Sequence, residues 1–331
     1  MNFINLMKTK AKIMNKKLVL PEGTDLRTIK AARIIIDEKI AANVSLLGKV
    51  TDIQKIAEEN GLYLGGIEII NPKNDDNQAL FANKYYELRK HKGMTEDQAK
   101  IDIADDLRWA AMMVNLGYAD AMVAGAVNTT GDVLRSGLSI IGTLPGIKIA
   151  SSCFVMACPD PKWGYEGNLI FSDCAVVPDP NAEQLADIAE SAASSCREFL
   201  GVEPVVALLS FSTKGSAKHD DVAKVQSAVE ILKSRNVGFV FDGELQADAA
   251  LIPAVTDSKA PGSPVRGNVN TLVFPDLGAG NIAYKLVQRL ASAEAFGPFL
   301  QGFNKPISDL SRGASVDDIV TTSAVTLSRA K

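Results

Sequence analysis

The sequence predicts an α/β protein with mostly parallel sheets and helices on both faces. Three observations carry that prediction. Short apolar runs alternate with segments of helical periodicity, a β-α-β-α order that argues for parallel strands joined by helices. The chain has 331 residues, enough for two domains at about 150 residues each. No repeat, low-complexity tract or flexible linker interrupts it, so two lobes that share connections fit better than two beads on a string. The cleft between such lobes is the default ligand site.

The elements follow in order. Near the N-terminus Phe3, Leu6, Met7, Ile13 and Met14 fit one helical face, and five lysines there accompany no apolar region of signal-peptide length. "KLVLP" (17–21) reads as a strand, and 26–40 reads as a helix with Ile29, Ala32, Ile36 and Ile40 on one face. A strand at 43–48, a helix at 51–60 and a strand at 67–70 follow. Two long helical patterns span 78–91 and 95–116, and the buried strand 119–127 runs into a helix at 129–141. The middle differs: 147–158 and 168–177 read as an antiparallel hairpin across a Pro/Gly/Trp-rich connection. Alternation then resumes with helix 182–200, strand 205–212, helix 220–235, strand 237–244 and helix 246–254. Strand 270–276, helix 279–292 and a last helix at 316–328 complete the chain.

Composition excludes several functions. Hydrophobic residues are 47% and charged residues 22%, as in ordinary globular proteins, which rules out extensive disorder. With 35 Lys+Arg against 39 Asp+Glu the net charge is −4, so nucleic acid is not bound through bulk charge. Any anionic ligand must be held by locally placed Arg, Lys and backbone N–H groups. The only histidines are His91 and His219, so a three-His metal site is impossible. Cys153, Cys158, Cys174 and Cys196 match no zinc spacing and read as reduced thiols of a cytoplasmic protein. The most apolar stretch, 138–158, holds Pro145 and Lys148 and does not read as a membrane span.

Four segments are candidates for chemistry. In "NKPISDLSRGASVDDIV" (304–320), Arg312 and Gly313 precede a helix whose orphan N–H groups attract anions. The Ser315/Asp318 spacing there equally fits a plain capping box. "NTTGDVLRSG" (128–137) lies at a strand's carboxyl end and suits an oxyanion, with Arg135 one turn into the helix. Its plain alternative is a threonine cap and a solvated arginine. "YELRKHKGMT" (85–94) carries Arg89, Lys90, His91 and Lys92 at a helix end, either gripping a phosphate or complementing the helix dipole before Gly93. The loops 211–220, 241–251, 258–268 and 274–285 are rich in Gly, Ser or Asp after strands. Asp242, Glu244 and Asp248 have no recognisable metal-ligand spacing.

Together "YELRKHKGMT", "LRSGLSIIGT", "STKGSAKHD", "DGELQADAAL", "SKAPGSPV", "FPDLGAGNIAYKL" and "NKPISDLSRGASVDDIV" resemble the phosphate acetyltransferase (phosphotransacetylase) family. The likeness runs in order from about residue 17 to the C-terminus. It implies two lobes of the isocitrate/isopropylmalate dehydrogenase type, with residues 1–147 and 300–331 in one and 148–299 in the other. It implies reversible acetyl transfer between coenzyme A and orthophosphate, CoA as a substrate, no tightly bound cofactor or metal, and a homodimer. By position, Asp318 matches the proposed base for the CoA thiol, and Ser311 and Arg312 the residues on the reacting carbonyl and phosphate. Arg135 matches a second active-site arginine, and Arg89 one placed to grip a CoA phosphate. Ala314 stands where a Cys is common, and "AVNTTGD" where Ser-rich versions occur.

The chemistry poses one difficulty. An ordinary Asp titrates about 4.6 units below a thiol, so proton transfer between them is uphill by roughly 6 kcal/mol. Either burial raises Asp318, or arginine and helix N–H groups stabilise the thiolate directly. Phosphate butyryltransferase, an NAD(P)-dependent decarboxylating dehydrogenase of the same fold, and a non-catalytic CoA-binding module remain as alternatives.

Overall fold

In the computed structural model, which describes residues 3–330, the chain forms two units. One is Met1–Thr143 with Phe303–Lys331, the other Leu144–Gly302. The chain starts with α1 (Phe3–Met14), β1 (Lys17–Leu20), α2 (Leu26–Asp37), β2 (Asn43–Leu47), α3 (Val50–Glu59) and β3 (Ile67–Ile70). It continues through α4 (Gln78–Arg89), α5 (Glu96–Asp102), α6 (Asp106–Leu116), β4 (Ala121–Ala124) and α7 (Thr130–Ile140). The second unit holds β5 (Ser151–Ala157), β6 (Asn168–Ser172), α8 (Ala182–Leu200), β7 (Val205–Leu209), α9 (Asp220–Ser234) and β8 (Val240–Leu245). It closes with α10 (Ala247–Leu251), α11 (Pro253–Lys259), β9 (Thr271–Val273), α12 (Leu277–Leu290) and β10 (Glu294–Gln301). The chain then returns to the first unit as β11 (Ile307–Asp309) and α13 (Val316–Leu327).

The first sheet is wholly parallel, in the order β11-β4-β1-β2-β3. Parallel neighbours need long crossovers, and helices supply most of them here. Both faces are thereby covered, which is why β4 is Ala-Met-Val-Ala and buried throughout. α2 lays Ile29, Ala32 and Ile35 into the core with Leu18, Leu20, Val44 and Leu46. Each large aliphatic side chain buried this way contributes about 1.5–3 kcal/mol. α1 buries Phe3 and Met7 of the face read from sequence, together with Ala11, but leaves Leu6 and Ile13 exposed, Ile13 at 79%. Its Met7 sulfur accepts from the Ser328 hydroxyl, which ties the first helix to the end of the last.

The second sheet is mixed, ordered β10-β5-β6-β9-β7-β8. β5 and β6 form the expected antiparallel pair, and β6, β9, β7 and β8 run parallel. Besides β11 of the first sheet, which the sequence reading did not include, three details depart from that reading. β10 was not anticipated and pairs antiparallel to β5 at the sheet edge, with its register broken between Phe296 and Phe299. The Gly297–Pro298 pair at that break disguises the strand, because proline cannot donate to a ladder. The helical pattern 95–116 is two helices, since the Asp105 carboxylate accepts the Arg108 N–H and starts α6 anew. The pattern 246–254 is split at Ile252–Pro253, where proline opens α11. Among the described residues no helix is long and apolar enough to cross a membrane.

Candidate active site

β11, β4 and β1 are neighbours and parallel, so their carboxyl ends deliver three loops to one edge of the first sheet. That edge is where open parallel sheets bind ligands. The register sets Asp309 of β11 opposite Ala124 of β4. The segments 125–135 and 310–318 therefore emerge side by side although far apart in sequence.

The loop after β1 holds both of the others. The Glu22 carboxylate, 7% exposed, accepts the backbone N–H groups of Gly125, Ala126, Val127 and Asn128, and the Asn128 side-chain amide, at 2.8–3.1 Å. An N–H cradle that reads as an oxyanion site is thus filled by the protein's own carboxylate. Arg27 binds Asp25 with two nitrogens at 2.8 and 3.0 Å. It also donates to the carbonyls of Ala126 at 2.8 Å and of Arg312 and Ala314 at 2.9 Å. Burial pushes the Asp25 carboxyl up, but hydrogen bonds and charge from Arg27 outweigh it and hold it below the usual carboxylate range. One guanidinium thus clamps the two loops that carry the sequence-predicted residues.

Ser311 and Arg312 lie on the β11–α13 connection and Asp318 in the first turn of α13, all exposed. The Ser311 hydroxyl accepts the Gly313 N–H at 3.2 Å and its carbonyl accepts the Ala314 N–H, closing a tight turn. The Arg312 guanidinium makes no hydrogen bond or ion pair with the described residues and is open to a ligand. Ser315 and Asp318 form a full capping box: the Ser315 hydroxyl accepts the Asp318 N–H, and the Asp318 carboxylate accepts the Ser315 N–H at 2.9 Å. The plain cap is therefore present, and Asp318 is exposed rather than buried.

On α7, Thr129 caps the helix by accepting the Asp132 N–H. Thr130 turns the other way and donates to Asp309 at 2.5 Å. Arg135 pairs with Asp132 at 2.6 Å and is 68% exposed at its side chain. Arg108 of α6, which the sequence reading passed over, joins Arg135, Asp105, Asp132, Asn128 and Ser136 around a cavity of about 170 Å³. Arg89 ends α4, half-buried, and shares no hydrogen bond or ion pair with the other four predicted residues. Beside it Lys90 is held by Glu87, and Gly93 stops the helix with φ 86°.

In the second unit Asp242 pairs with Lys214, and Asp248 with Lys259 at 2.9 Å. Among the described residues no group of three or more His, Cys, Asp or Glu is placed to hold a metal ion.

Comparison with known proteins agrees with this architecture. Residues 2–327 match the family described as phosphate acetyl/butaryl transferase. A phosphate acetyltransferase of Treponema pallidum (strain Nichols) is 58% identical over 330 residues, covering 99% of this chain and 98% of that protein. A phosphotransacetylase structure from Streptococcus pyogenes superposes with TM-score 0.92 at 39% identity, over 99% of this chain and 98% of that one. The EutD phosphotransacetylase structure from Staphylococcus aureus gives TM-score 0.89 at 41% identity, over 100% and 98%. With matched sequence along nearly its whole length and the same fold, the chain belongs to the phosphate acetyl/butaryl transferase family.

Proposed function

We propose that the protein is a phosphate acetyltransferase, interconverting acetyl-CoA plus orthophosphate with CoA plus acetyl phosphate. The observation that carries this reading is the meeting, at the adjacent ends of β4 and β11, of two arginine-bearing segments in a chain of this family. In the direction of thioester formation, the CoA sulfur attacks the acetyl carbonyl carbon. A C–S bond forms, the C–O bond to phosphorus-bound oxygen breaks, and phosphate leaves with that electron pair. The open Arg312 guanidinium holds the phosphate, since its planar fork matches two phosphate oxygens. Ser311 holds the carbonyl, and Arg135, once drawn from Asp132, supplies a second cation. Asp318 receives the thiol proton. Its exposure leaves stabilisation of the sulfur anion chiefly to Arg312 and the N–H groups that open α13. Arg89 grips a phosphate of CoA. CoA enters and leaves as a substrate, and the reading involves no tightly bound cofactor and no metal.

The same reading makes the protein a cytoplasmic homodimer. The four cysteines are free thiols, as a reducing compartment keeps them. On α12, Ile282, Leu286 and Leu290 recur at helical spacing and are 60%, 51% and 81% exposed. Such a stripe fits burial against a second copy, and light scattering of the parent and Leu286→Glu tests it.

Loss of free thiol on mixing acetyl phosphate with CoA tests the activity, with propionyl and butyryl phosphate alongside. Acetyl transfer is expected to be fastest. Faster butyryl transfer would move the assignment to a butyryltransferase, and CoA binding with no thiol loss would leave a non-catalytic module.

A further inference from the structure

Asp309 is a buried carboxyl that the proposed chemistry leaves unused. It is 7% exposed, and it ends β11 two residues before Ser311. One oxygen accepts the Thr130 hydroxyl at 2.5 Å. The other, Oδ1, is buried without a hydrogen-bond partner. It packs against Gly125, where a Cβ would overlap Asp309 Oδ1 and come within 2.6 Å of the Leu310 backbone N and O. Gly125 has φ +108°, so the close approach is built into the backbone of the β4 loop. Thr130 is the first residue of α7, the helix that carries Arg135.

We propose that Asp309 is a positioning residue that, through Thr130, fixes the first turn of α7 against the end of β11 and so sets the spacing between the Arg135 helix and the Ser311–Arg312 turn. This rests on the phosphate acetyltransferase reading. A charged acceptor makes a hydrogen bond roughly twice as strong as a neutral one, so the latch is tight when Asp309 is ionised and slack when it is protonated. The charged group facing it is Glu22 from the β1–α2 loop. α7 contributes the uncharged Thr130, β4 contributes backbone, and α13 meets β11 through Thr326 on Ser308. Burial pushes the Asp309 carboxyl up to about 6; the Thr130 hydroxyl opposes the rise and Glu22 adds to it. The latch therefore changes state near neutral pH.

The test is the pH profile of kcat for thioester formation from acetyl phosphate and CoA, in the parent, Asp309→Asn and Thr130→Val. The parent profile is expected to break near pH 6, with activity falling on the acid side. Asp309→Asn removes the break and lowers kcat at least about tenfold at pH 8. Thr130→Val deletes the bond through which Asp309 acts, so it likewise removes the break and lowers kcat at pH 8; a residue acting only as filler would leave the break in place. A break unchanged in both variants overturns the proposal, while a parent with no thioester formation overturns the activity reading alone. Melting temperature against pH reads the same carboxyl without turnover. Because the carboxyl is raised to about 6 on folding, it makes the parent lose stability as pH rises between about 4 and 6; Asp309→Asn should flatten that slope, and curves parallel to the parent's in both variants overturn the proposal whatever the activity.

Discussion

Replacing Arg27 by Lys isolates the worth of a fork over a point charge. The guanidinium spans Asp25 and three carbonyls, those of Ala126, Arg312 and Ala314. An ammonium has a single nitrogen, so it can keep Asp25 and one carbonyl but not the spread of all three. Two hydrogen bonds to a charged donor are lost. Such bonds are worth about 1.5–3 kcal/mol each when buried. The Arg27 side chain is 32% exposed, so water recovers part of each, leaving a loss of about 1–3 kcal/mol in all. For a unit of this size that lowers the melting temperature by about 2–12 °C. Activity should fall further than stability implies, because the freed carbonyls belong to the turn that carries Arg312. A displacement near 1 Å at a reacting group costs about 10²-fold, so kcat is expected to drop about 10- to 100-fold. Arg33→Lys is the control. Arg33 also binds a carboxylate and a carbonyl, Asp37 and Gly65, but on the far side of α2 from these loops. It should cost stability and spare kcat. The clamp argument is refuted if Arg27→Lys keeps kcat within twofold of the parent, or if Arg33→Lys loses as much.

Three further outcomes are expected. Asp318→Asn keeps an oxygen for the Ser315 N–H, so folding should be unaltered while kcat drops at least about 10²-fold; an unchanged kcat would return Asp318 to its capping role alone. Arg89→Ala should raise KM for CoA and spare kcat, as loss of uniform binding does, and equal KM for CoA and dephospho-CoA in the parent would argue against a grip on the 3′-phosphate. Gly125→Ala combines a left-handed backbone with overlap on Leu310 and Asp309, and should destabilise by about 2–5 kcal/mol in urea denaturation; a loss under about 0.5 kcal/mol would show that the β4 and β11 loops are looser than drawn.

What sequence could reveal was whatever is local. The central parallel strands β1, β2, β4 and β7 announced themselves as apolar runs because they are buried on both faces, and their helices as periodic segments. The capping box of Ser315 and Asp318 was legible because its partners are three residues apart. A threonine cap at 129 or 130 was legible for the same reason, and Thr129 is the one that supplies it. β10 was not, because a Gly-Pro pair at an edge-strand irregularity carries the signature of a turn. The three short residues of β11 were hidden too, since a strand that brief pairs only because β4 is already in place.

The supports of the site were invisible for a deeper reason. Arg27 reaches carbonyls 99, 285 and 287 positions away, and carbonyls carry no side-chain signal at all. Glu22 sits in "LPEGTD", a stretch that offers no motif, and its partners are N–H groups more than 100 residues on. Asp309 lies in a motif whose recognisable residues are Ser311 and Arg312; its burial depends on β4 lying beside it and on residue 125 being glycine. The residues that a motif displays here are exposed, at the start of α13 and in the turn before it. The residues that hold those loops in place act through backbone and are chosen by strand order, which is a property of the sheet and not of any segment. A search for further determinants of activity in this chain should therefore follow the order β11-β4-β1 and ask which buried polar side chain spans each pair of strand ends. Asp309 spans the first pair, and Glu22 and Arg27 span the second.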